Sequence, residues 1–182
     1  MQVRQRISDD YLELQRELHK NPNYGVASAA HAHLVRDLMQ YTRARSISDY
    51  GAGKCNLQRE LMALGCSVSE YFPYDPAFTE YGAPRAADLV CCIDVLEHVE
   101  PECLDNVLLD LRDITVKVGF LTVHTGPAMK HLADGRNAHL IQRPSSWWLP
   151  LLCRHFEIQH LQADASGFWV VVRPQATVAL AD

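Results

Sequence analysis

The apolar positions in the first 42 residues recur at helical spacing. Such residues lie three or four positions apart on one face of a helix. The stripes are Tyr11, Leu14 and Leu18 in residues 8–20, and Leu34, Val35, Leu38 and Met39 in residues 28–42. We therefore predict two helices, with Ser28 as the N-cap of the second. The turn NPNYG between them is a candidate for part of a ligand rim.

From Ser46 onward the pattern alternates between strands and helices. A strand SISDY leads through the glycine turn GAGK into a helix that carries Leu57 and Leu61 and ends at Gly65. Further strands are predicted at residues 67–74, 86–93, 117–124, 156–162 and 167–174, and further helices at residues 102–115 and 147–155.

This alternation predicts an α/β fold, with a mostly parallel sheet that has helices on both faces. The last two strands follow each other directly, so they should form an antiparallel hairpin at one edge of the sheet. We expect one domain over residues 1–182, with N-terminal helices in residues 1–45, a core in residues 46–174 and a loose tail in residues 175–182.

The composition narrows the class of protein but does not identify a binding partner. No apolar run is long enough to span a membrane, and the N-terminus lacks a signal-peptide pattern, so a cytoplasmic location is expected. The six cysteines form no Cys-x-x-Cys pair and should be reduced. A net charge of −5 supplies no global attraction for nucleic acid, although a local basic face would still permit it.

The segment DYGAGKC, residues 49–55, places Gly51 and Gly53 between a strand and a helix. Glycines there let the backbone approach a ligand closely, and the helix N-terminus offers free N–H donors. The third glycine of a dinucleotide fingerprint is absent, which argues against NAD. An acidic residue further on would hold ribose hydroxyls; Asp75 is the better candidate and Glu70 the alternative.

The succession DYGAGKC, YDP and ADLVCCIDVLEHV resembles the class I S-adenosylmethionine-dependent methyltransferases, from about Ile47 to Arg173. The resemblance implies a Rossmann-like sheet and S-adenosylmethionine as the cofactor. The family residues that match Asp49, Gly51 and Gly53 surround the methionine moiety. The residue that matches Asp75 binds the ribose, and Asp94 would border the methyl group.

One departure from the family concerns the residues between Asp75 and Asp88. About a dozen residues are too few for a further crossover helix and paired strand. We therefore predict that the family's third strand is shortened or missing, with a loop or single turn over residues 76–86. This departure leaves the recognition of adenine open.

Candidates for the acceptor side follow the strand ends. A hydroxyl or amine acceptor needs a base, and the catalytic candidates are His98, His124 and His139. Substrate-binding candidates are Arg136, Asn137 and Trp147, and one residue of the Trp147–Trp148 pair should be buried while the other faces the pocket. The polar loop of residues 125–143 would close over a small-molecule acceptor. The sequence leaves the acceptor and the oligomeric state open.

Two alternatives remain at this point. Asp94, Glu97 and His98 stand at i, i+3 and i+4, on one face if the segment is helical. With His139 they are similar to the divalent-metal site of small-RNA 3′-terminal 2′-O-methyltransferases, which implies a nucleotide or nucleic-acid acceptor. The other alternative is a catalytically silent methyltransferase-like binding protein.

Overall fold

The computed structural model describes residues 4–175. Its helices are α1 (Asp9–His19), α2 (Ala27–Ala30), α3 (Ala32–Thr42), α4 (Asn56–Ala63), α5 (Leu104–Ile114) and α6 (Ser145–Leu152). Its strands are β1 (Ser46–Tyr50), β2 (Glu70–Tyr74), β3 (Ala87–Cys92), β4 (Thr115–His124), β5 (Phe156–Ala163) and β6 (Gly167–Pro174). Short 3₁₀ turns occur at Thr79–Tyr81, Leu96–His98 and Pro101–Cys103.

The six strands form one sheet in the order β2-β1-β3-β4-β6-β5. The pairs among β2, β1, β3 and β4 are parallel, whereas β6 runs antiparallel to both β4 and β5. The prediction of a mostly parallel sheet with an antiparallel C-terminal hairpin is confirmed. Because the parallel strands share a direction, the carboxyl ends of β1, β2 and β3 meet at one edge.

The connection between β2 and β3 contains no further strand. Of residues 75–86, only Thr79–Tyr81 is regular, as a single 3₁₀ turn. The prediction of a missing third strand is confirmed, and β2 becomes an edge strand as a result. This edge strand is one boundary of the site described below.

Both faces of the sheet bury an apolar cluster, as alternating strands and helices require. One cluster contains residues of α5 and α6, among them Leu108 and the fully buried Trp148. The other contains residues of α3 and α4, with Val35, Leu57 and Leu61 against the sheet. The apolar stripes that predicted these helices are therefore the faces that stabilise them.

Several predicted boundaries are wrong in detail. The second predicted helix is broken at His31, where α2 ends and α3 begins. Ser28 lies inside α2, whose N-cap is Val26, so its assignment as a cap is wrong. β2 starts at Glu70 rather than at residue 67. Periodicity follows burial, and it carries little information about where a backbone hydrogen-bond ladder starts or stops.

Other general expectations can be compared with the described residues. All six cysteines are free thiols, three of them buried. None of the described helices is long and apolar enough to cross a membrane. The predicted tail lies outside the described residues except for Gln175, whose backbone N–H donates to the carbonyl of His155 at 3.0 Å.

Candidate functional site

A cleft lies where the carboxyl ends of β1, β2 and β3 meet. It encloses about 860 Å³, including the part that is open to solvent. Its walls come from the glycine turn, the end of β2, residues 93–100, and several side chains of residues 6–28. Of the residues predicted to form the site, Gly51, Gly53, Asp75, Asp94 and His98 line this cleft.

The glycine turn has a geometry that side chains would disturb. Gly51 has φ +82°, and a Cβ atom there would lie 2.3 Å from Val95 Cγ2. Gly53 has φ +49°, and Cys55, the N-cap residue of α4, also has a left-handed φ of 54°. The carbonyl of Tyr74 accepts the N–H group of Gly51 at 2.7 Å, which fixes the turn to the end of β2. The backbone can therefore approach a ligand closely at this point.

Asp75 lies at the carboxyl end of β2 with a buried carboxylate. Its Oδ2 accepts the N–H of Gly53 at 3.0 Å, and its Oδ1 accepts the N–H of Ala77 at 2.9 Å. Burial raises the pKa of Asp75, whereas these two hydrogen bonds lower it. His19 Nε2 lies 3.9 Å from Oδ2, and burial lowers the pKa of His19 to about 4. A neutral imidazole therefore faces the carboxylate.

Asp49 and Glu70 do not line the cleft. The Asp49 carboxylate is 2% exposed and accepts a hydrogen bond from the Tyr71 hydroxyl. Burial raises the pKa of Asp49 to about 7. Glu70 is exposed at the start of β2, at the opposite end of that strand from Asp75. Asp49 thus supports the strand below the turn, and Asp75 is the acidic residue that the cleft presents.

Asp94 begins the segment after β3 in an unusual backbone conformation. Its φ is +60°, which few residues other than glycine adopt, and its N–H donates to Thr122 Oγ1 at 2.9 Å. The chain then forms the 3₁₀ turn Leu96–His98 rather than a longer helix. Asp94 and His98 still face the same cleft.

His98 and His139 share one tautomer, which their hydrogen bonds determine. His98 Nδ1 lies 2.8 Å from the carbonyl of Ala138, and His139 Nδ1 lies 2.7 Å from the carbonyl of Gly126. Because a carbonyl only accepts, each Nδ1 carries the proton and each Nε2 keeps a lone pair. Burial lowers the pKa of His98 to about 4 and also lowers the pKa of His139.

His124 differs from the other two histidines. Its Nδ1 lies 3.1 Å from the backbone nitrogen of Gly126 and 3.3 Å from the carbonyl oxygen of the same residue, so these contacts fit either tautomer. Its ring centroid lies 5.0 Å from that of His139. Hydrogen bonds therefore fix the tautomers of His98 and His139 but not that of His124.

Asp94, His98 and His139 each present a possible ligand atom, and these three atoms lie within 4.8 Å of one another. Glu97, the fourth residue of the metal alternative, is not in this set. It is fully buried, and its Oε1 accepts the N–H of His124 at 2.6 Å. Burial, followed by the charge of Asp94, raises the pKa of Glu97. Glu97 therefore does not share a face with Asp94 and His98, because the segment is a short 3₁₀ turn and not an α-helix.

The loop of residues 125–143 is held by its own hydrogen bonds. Asn137 Oδ1 accepts the N–H of Ala128 at 2.9 Å, and Asn137 Nδ2 donates to the carbonyl of Ala128 at 2.9 Å. Arg136 is exposed and pairs with Asp134 at 2.7 Å. Neither Arg136 nor Asn137 lines the cleft. The loop nevertheless brings His139 next to His98, with ring centroids 4.6 Å apart.

Only one of the two expectations for the pair Trp147 and Trp148 is met, namely that one of them is buried. Trp148 is fully buried, whereas Trp147 is 38% exposed and lies outside the cleft. The expectation that the second tryptophan faces the pocket is therefore wrong. Trp148 occupies the inward face at the start of α6, and its neighbour consequently faces solvent.

The N-terminal residues form a wall that sequence reasoning mostly missed. Gln15 Nε2 donates to the Tyr11 hydroxyl at 2.6 Å, and that hydroxyl donates to the carbonyl of His98 at 2.6 Å. Tyr24 and Gly25 of the predicted rim do line the cleft. The turn composition of NPNYG was the available signal. Nothing in helical periodicity distinguishes Gln15 from an ordinary polar position.

The chain matches no family model, and no curated protein matches it. Solved structures do match. A complex of DhpI with S-adenosylhomocysteine is 12% identical at a TM-score of 0.57, covering 92% of this chain and 98% of that one. The Burkholderia thailandensis 1,6-didemethyltoxoflavin-N1-methyltransferase, with 1,6-didemethyltoxoflavin and S-adenosylhomocysteine bound, is 12% identical at 0.61, covering 97% and 94%.

The mitomycin 7-O-methyltransferase MmcR is 14% identical at a TM-score of 0.61 and covers 89% of this chain and 60% of that one. At these identities the likeness shows the fold. The chain has the Rossmann-like fold that S-adenosylmethionine-dependent methyltransferases share, which confirms the predicted fold class.

Proposed function

We propose that this protein is an S-adenosylmethionine-dependent methyltransferase that acts on a small molecule. One observation carries the proposal: the glycine turn and Asp75 line the same cleft as Asp94 and His98. We call Gly51, Gly53 and Asp75 the cofactor end. We call Asp94 and His98 the acceptor end, together with His139, which lies against His98 but does not itself line the cleft. The named small-molecule methyltransferases with the same fold support this choice.

The cofactor end binds S-adenosylmethionine and orients its methyl group. S-adenosylmethionine supplies, when bound, an electrophilic methyl group on a sulfonium sulfur. Gly51 and Gly53 line the cleft without side chains, which leaves room for the methionine moiety beside the backbone of the turn. The two carboxylate oxygens of Asp75 suit a pair of ribose hydroxyls. The carboxylate of Asp94, which also lines the cleft, favours a sulfonium cation nearby.

The acceptor end positions the nucleophile and manages its proton. A lone pair on the acceptor attacks the methyl carbon as the carbon–sulfur bond breaks, and the bonding electrons go to sulfur. The acceptor's proton passes to an imidazole; His98 Nε2 has the free lone pair for this, because its Nδ1 donates to Ala138. Alignment supplies most of the catalysis in such a transfer.

Calorimetry with S-adenosylhomocysteine tests the proposal first. The wild-type protein should bind one molecule, and Asp75→Ala should weaken binding by about 1.5–3 kcal/mol through lost charge-assisted hydrogen bonds. Asp134→Ala, at an exposed loop position outside the cleft, is the control and should bind like wild type. A wild-type protein without affinity would refute the proposal. Tight binding without turnover on any acceptor would favour the silent binding protein instead.

A second candidate function is metal-assisted methyl transfer to a nucleotide or nucleic acid. It rests on the three ligand atoms of Asp94, His98 and His139 and on the tautomers of the two histidines. Metal-binding histidines commonly donate their other ring N–H to a carbonyl, as both do here. A carboxylate with two imidazoles suits a divalent transition metal such as Mn²⁺.

Metal titration separates the two candidates. Under the second candidate, Mn²⁺ should bind the wild-type protein and raise its melting temperature, and His139→Ala should lose that shift. His124→Ala is the matched control, since His124 lies beside His139 but outside the three-residue set. If Mn²⁺ raises the melting temperature of both variants equally, or does not raise that of the wild type, the metal-free reaction is the remaining candidate.

A further inference from the structure

Polar but uncharged side chains from the N-terminal part of the chain face His98 across the cleft. Tyr11 and Gln15 stand four residues apart on α1, so one face of that helix presents both of them to the cleft. Tyr24, from the turn that follows α1, lines the cleft beside them. We call Tyr11, Gln15 and Tyr24 the neutral wall.

Hydrogen bonds join the members of the neutral wall to one another. Gln15 is buried; its Nε2 donates to the Tyr11 hydroxyl at 2.6 Å, and its Oε1 accepts the Tyr24 hydroxyl at 3.2 Å. The Tyr11 hydroxyl donates in turn to the carbonyl of His98 at 2.6 Å. Because a buried amide needs partners for both of its ends, these bonds fix the orientation of Gln15. The neutral wall is therefore held in one arrangement beside the acceptor end.

Aromatic rings supply much of the surface on this side of the cleft. The Tyr24 ring contacts the imidazoles of His19 and His98 edge to face, with centroid distances of 4.8 Å and 5.9 Å. All three rings line the cleft, and the neighbouring Gly25 and Ala27 add little bulk to it. Aromatic side chains favour a further ring in edge-to-face or offset contact. The shape and chemistry of this side therefore suit a planar ring.

Cationic side chains are scarce in the cleft. Among the described residues that line it, Arg6 is the one arginine, and no lysine occurs. Arg6 pairs with the buried carboxylate of Asp110 on α5, so its charge already has a partner. Asp75, Asp94 and Glu100 add negative charge to the lining. An acceptor with a carboxylate or phosphate would have to give up its hydration without gaining a cationic partner, which is unfavourable.

We propose that the methyl acceptor is an uncharged aromatic molecule whose ring packs against the neutral wall and whose hydroxyl or amino group faces His98. This inference rests on the proposed function. A lone pair of that group forms the bond to the methyl carbon, the carbon–sulfur bonding electrons go to sulfur, and the acceptor's proton goes to Nε2 of His98. The positive charge of the sulfonium thus ends on the imidazole, and a neutral acceptor gives a neutral methylated product.

Binding of four matched small molecules tests the inference. The protein is first saturated with sinefungin, a cofactor analogue that carries a protonated amine in place of the sulfonium and transfers no methyl group. Catechol and 2-aminophenol are the neutral probes, salicylate is catechol with a carboxylate in place of one hydroxyl, and AMP represents the nucleotides. NMR titration should give dissociation constants for the neutral probes that are at least about tenfold lower than those for salicylate and AMP, because an anion in this cleft has no partner.

A pair of tyrosine variants locates the binding of the probes. Tyr24→Leu removes a ring of the neutral wall and should weaken catechol binding about three- to tenfold through lost aromatic contact. Tyr41→Leu is the matched control, because Tyr41 on α3 is 88% exposed and does not line the cleft. It should bind catechol like the wild type. If Tyr24→Leu does not fold, the comparison of the four probes on the wild-type protein decides alone.

The outcomes separate this inference from the proposed function. A preference for the neutral probes, with catechol binding weakened in Tyr24→Leu but not in Tyr41→Leu, supports the inference. Salicylate or AMP that binds as tightly as catechol overturns it, and a preference for AMP would favour the nucleotide acceptor of the second candidate. The inference is also overturned if none of the four probes binds, or if folded Tyr24→Leu binds catechol as tightly as the wild type. A protein that binds neither sinefungin nor S-adenosylhomocysteine refutes the proposed function itself.

Discussion

The two ends of the cleft are built by different means. The cofactor end depends on backbone: a glycine turn and a carboxylate at the end of the next strand are joined by the hydrogen bond from the Gly53 N–H to Asp75. The acceptor end depends on side chains from separate segments, with His139 brought to His98 by a loop. Short-range sequence specifies the first end, whereas long-range packing specifies the second. The cofactor end should therefore be rigid and the acceptor end adaptable.

The largest expected effect is on catalysis at the acceptor end. His98→Ala should lower turnover by about 10²–10⁴-fold, the usual range for a lost acid–base group, while S-adenosylhomocysteine affinity stays close to wild type. The measurement is kcat together with calorimetry on the same preparation. If a metal assists, the same variant should also lose stimulation by Mn²⁺ or Mg²⁺. Wild-type turnover in His98→Ala would contradict both versions.

Next in size is the steric constraint at the cofactor end. Gly51→Ala should destabilise the protein by about 2–4 kcal/mol, because the new methyl group overlaps Val95 and φ is positive. Gly135→Ala is the control: its φ is +89°, but nothing lies within 4 Å of the added Cβ. Denaturant unfolding should give about 1 kcal/mol for the control. Equal losses would show that the close approach to Val95 costs nothing.

Asp49 should make the stability of the protein depend on pH, with an effect similar to or smaller than that of Gly51→Ala. Burial raises its folded pKa to about 7, above the ordinary value of about 3.9 for an unfolded chain. A raised carboxyl pKa contributes stability that is lost as pH rises through the folded value. Asp49→Asn should therefore gain stability over wild type between pH 4 and 7, by about 2–4 kcal/mol at most.

Urea unfolding at several pH values measures this difference. Asp134→Asn is the contrasting variant, because hydrogen bonds from Arg136 lower the pKa of Asp134 instead. It should show the opposite sign, with a disadvantage that appears as pH rises above the folded pKa of Asp134. A pH-independent difference for Asp49→Asn would contradict the buried, protonated carboxyl.

The smallest effect belongs to the loop that carries His139. Asn137→Ala removes two hydrogen bonds to Ala128 and one from the backbone N–H of His139, and it should cost about 1–2 kcal/mol of stability. Because the loop positions His139, kcat should also fall, with little change in cofactor affinity. Arg136→Ala, next to it but exposed and outside the cleft, should change neither quantity by much. If both variants behave alike, the loop does not position the acceptor end.

The sequence predicted the sheet and the missing strand, and it singled out Gly51, Gly53 and Asp75, which line one cleft, because each depends on local spacing. Apolar runs marked β1 and β3, and the short interval after Asp75 excluded a crossover. The N-terminal wall was missed since the ion pair of Arg6 with Asp110 joins residues 104 positions apart. Trp147 was placed in the pocket because a pattern of two tryptophans does not say which one packs inward. Both failures concern contacts that only the folded chain creates.

A crystal structure with S-adenosylhomocysteine tests the central claim, that one cleft has a cofactor end and an acceptor end. We expect ribose oxygens within hydrogen-bond distance of Asp75 and the homocysteine against the Gly51–Gly53 turn. The sulfur should face the side where Asp94, His98 and His139 lie. A ligand bound outside this cleft, or one whose sulfur points away from Asp94, would contradict the account.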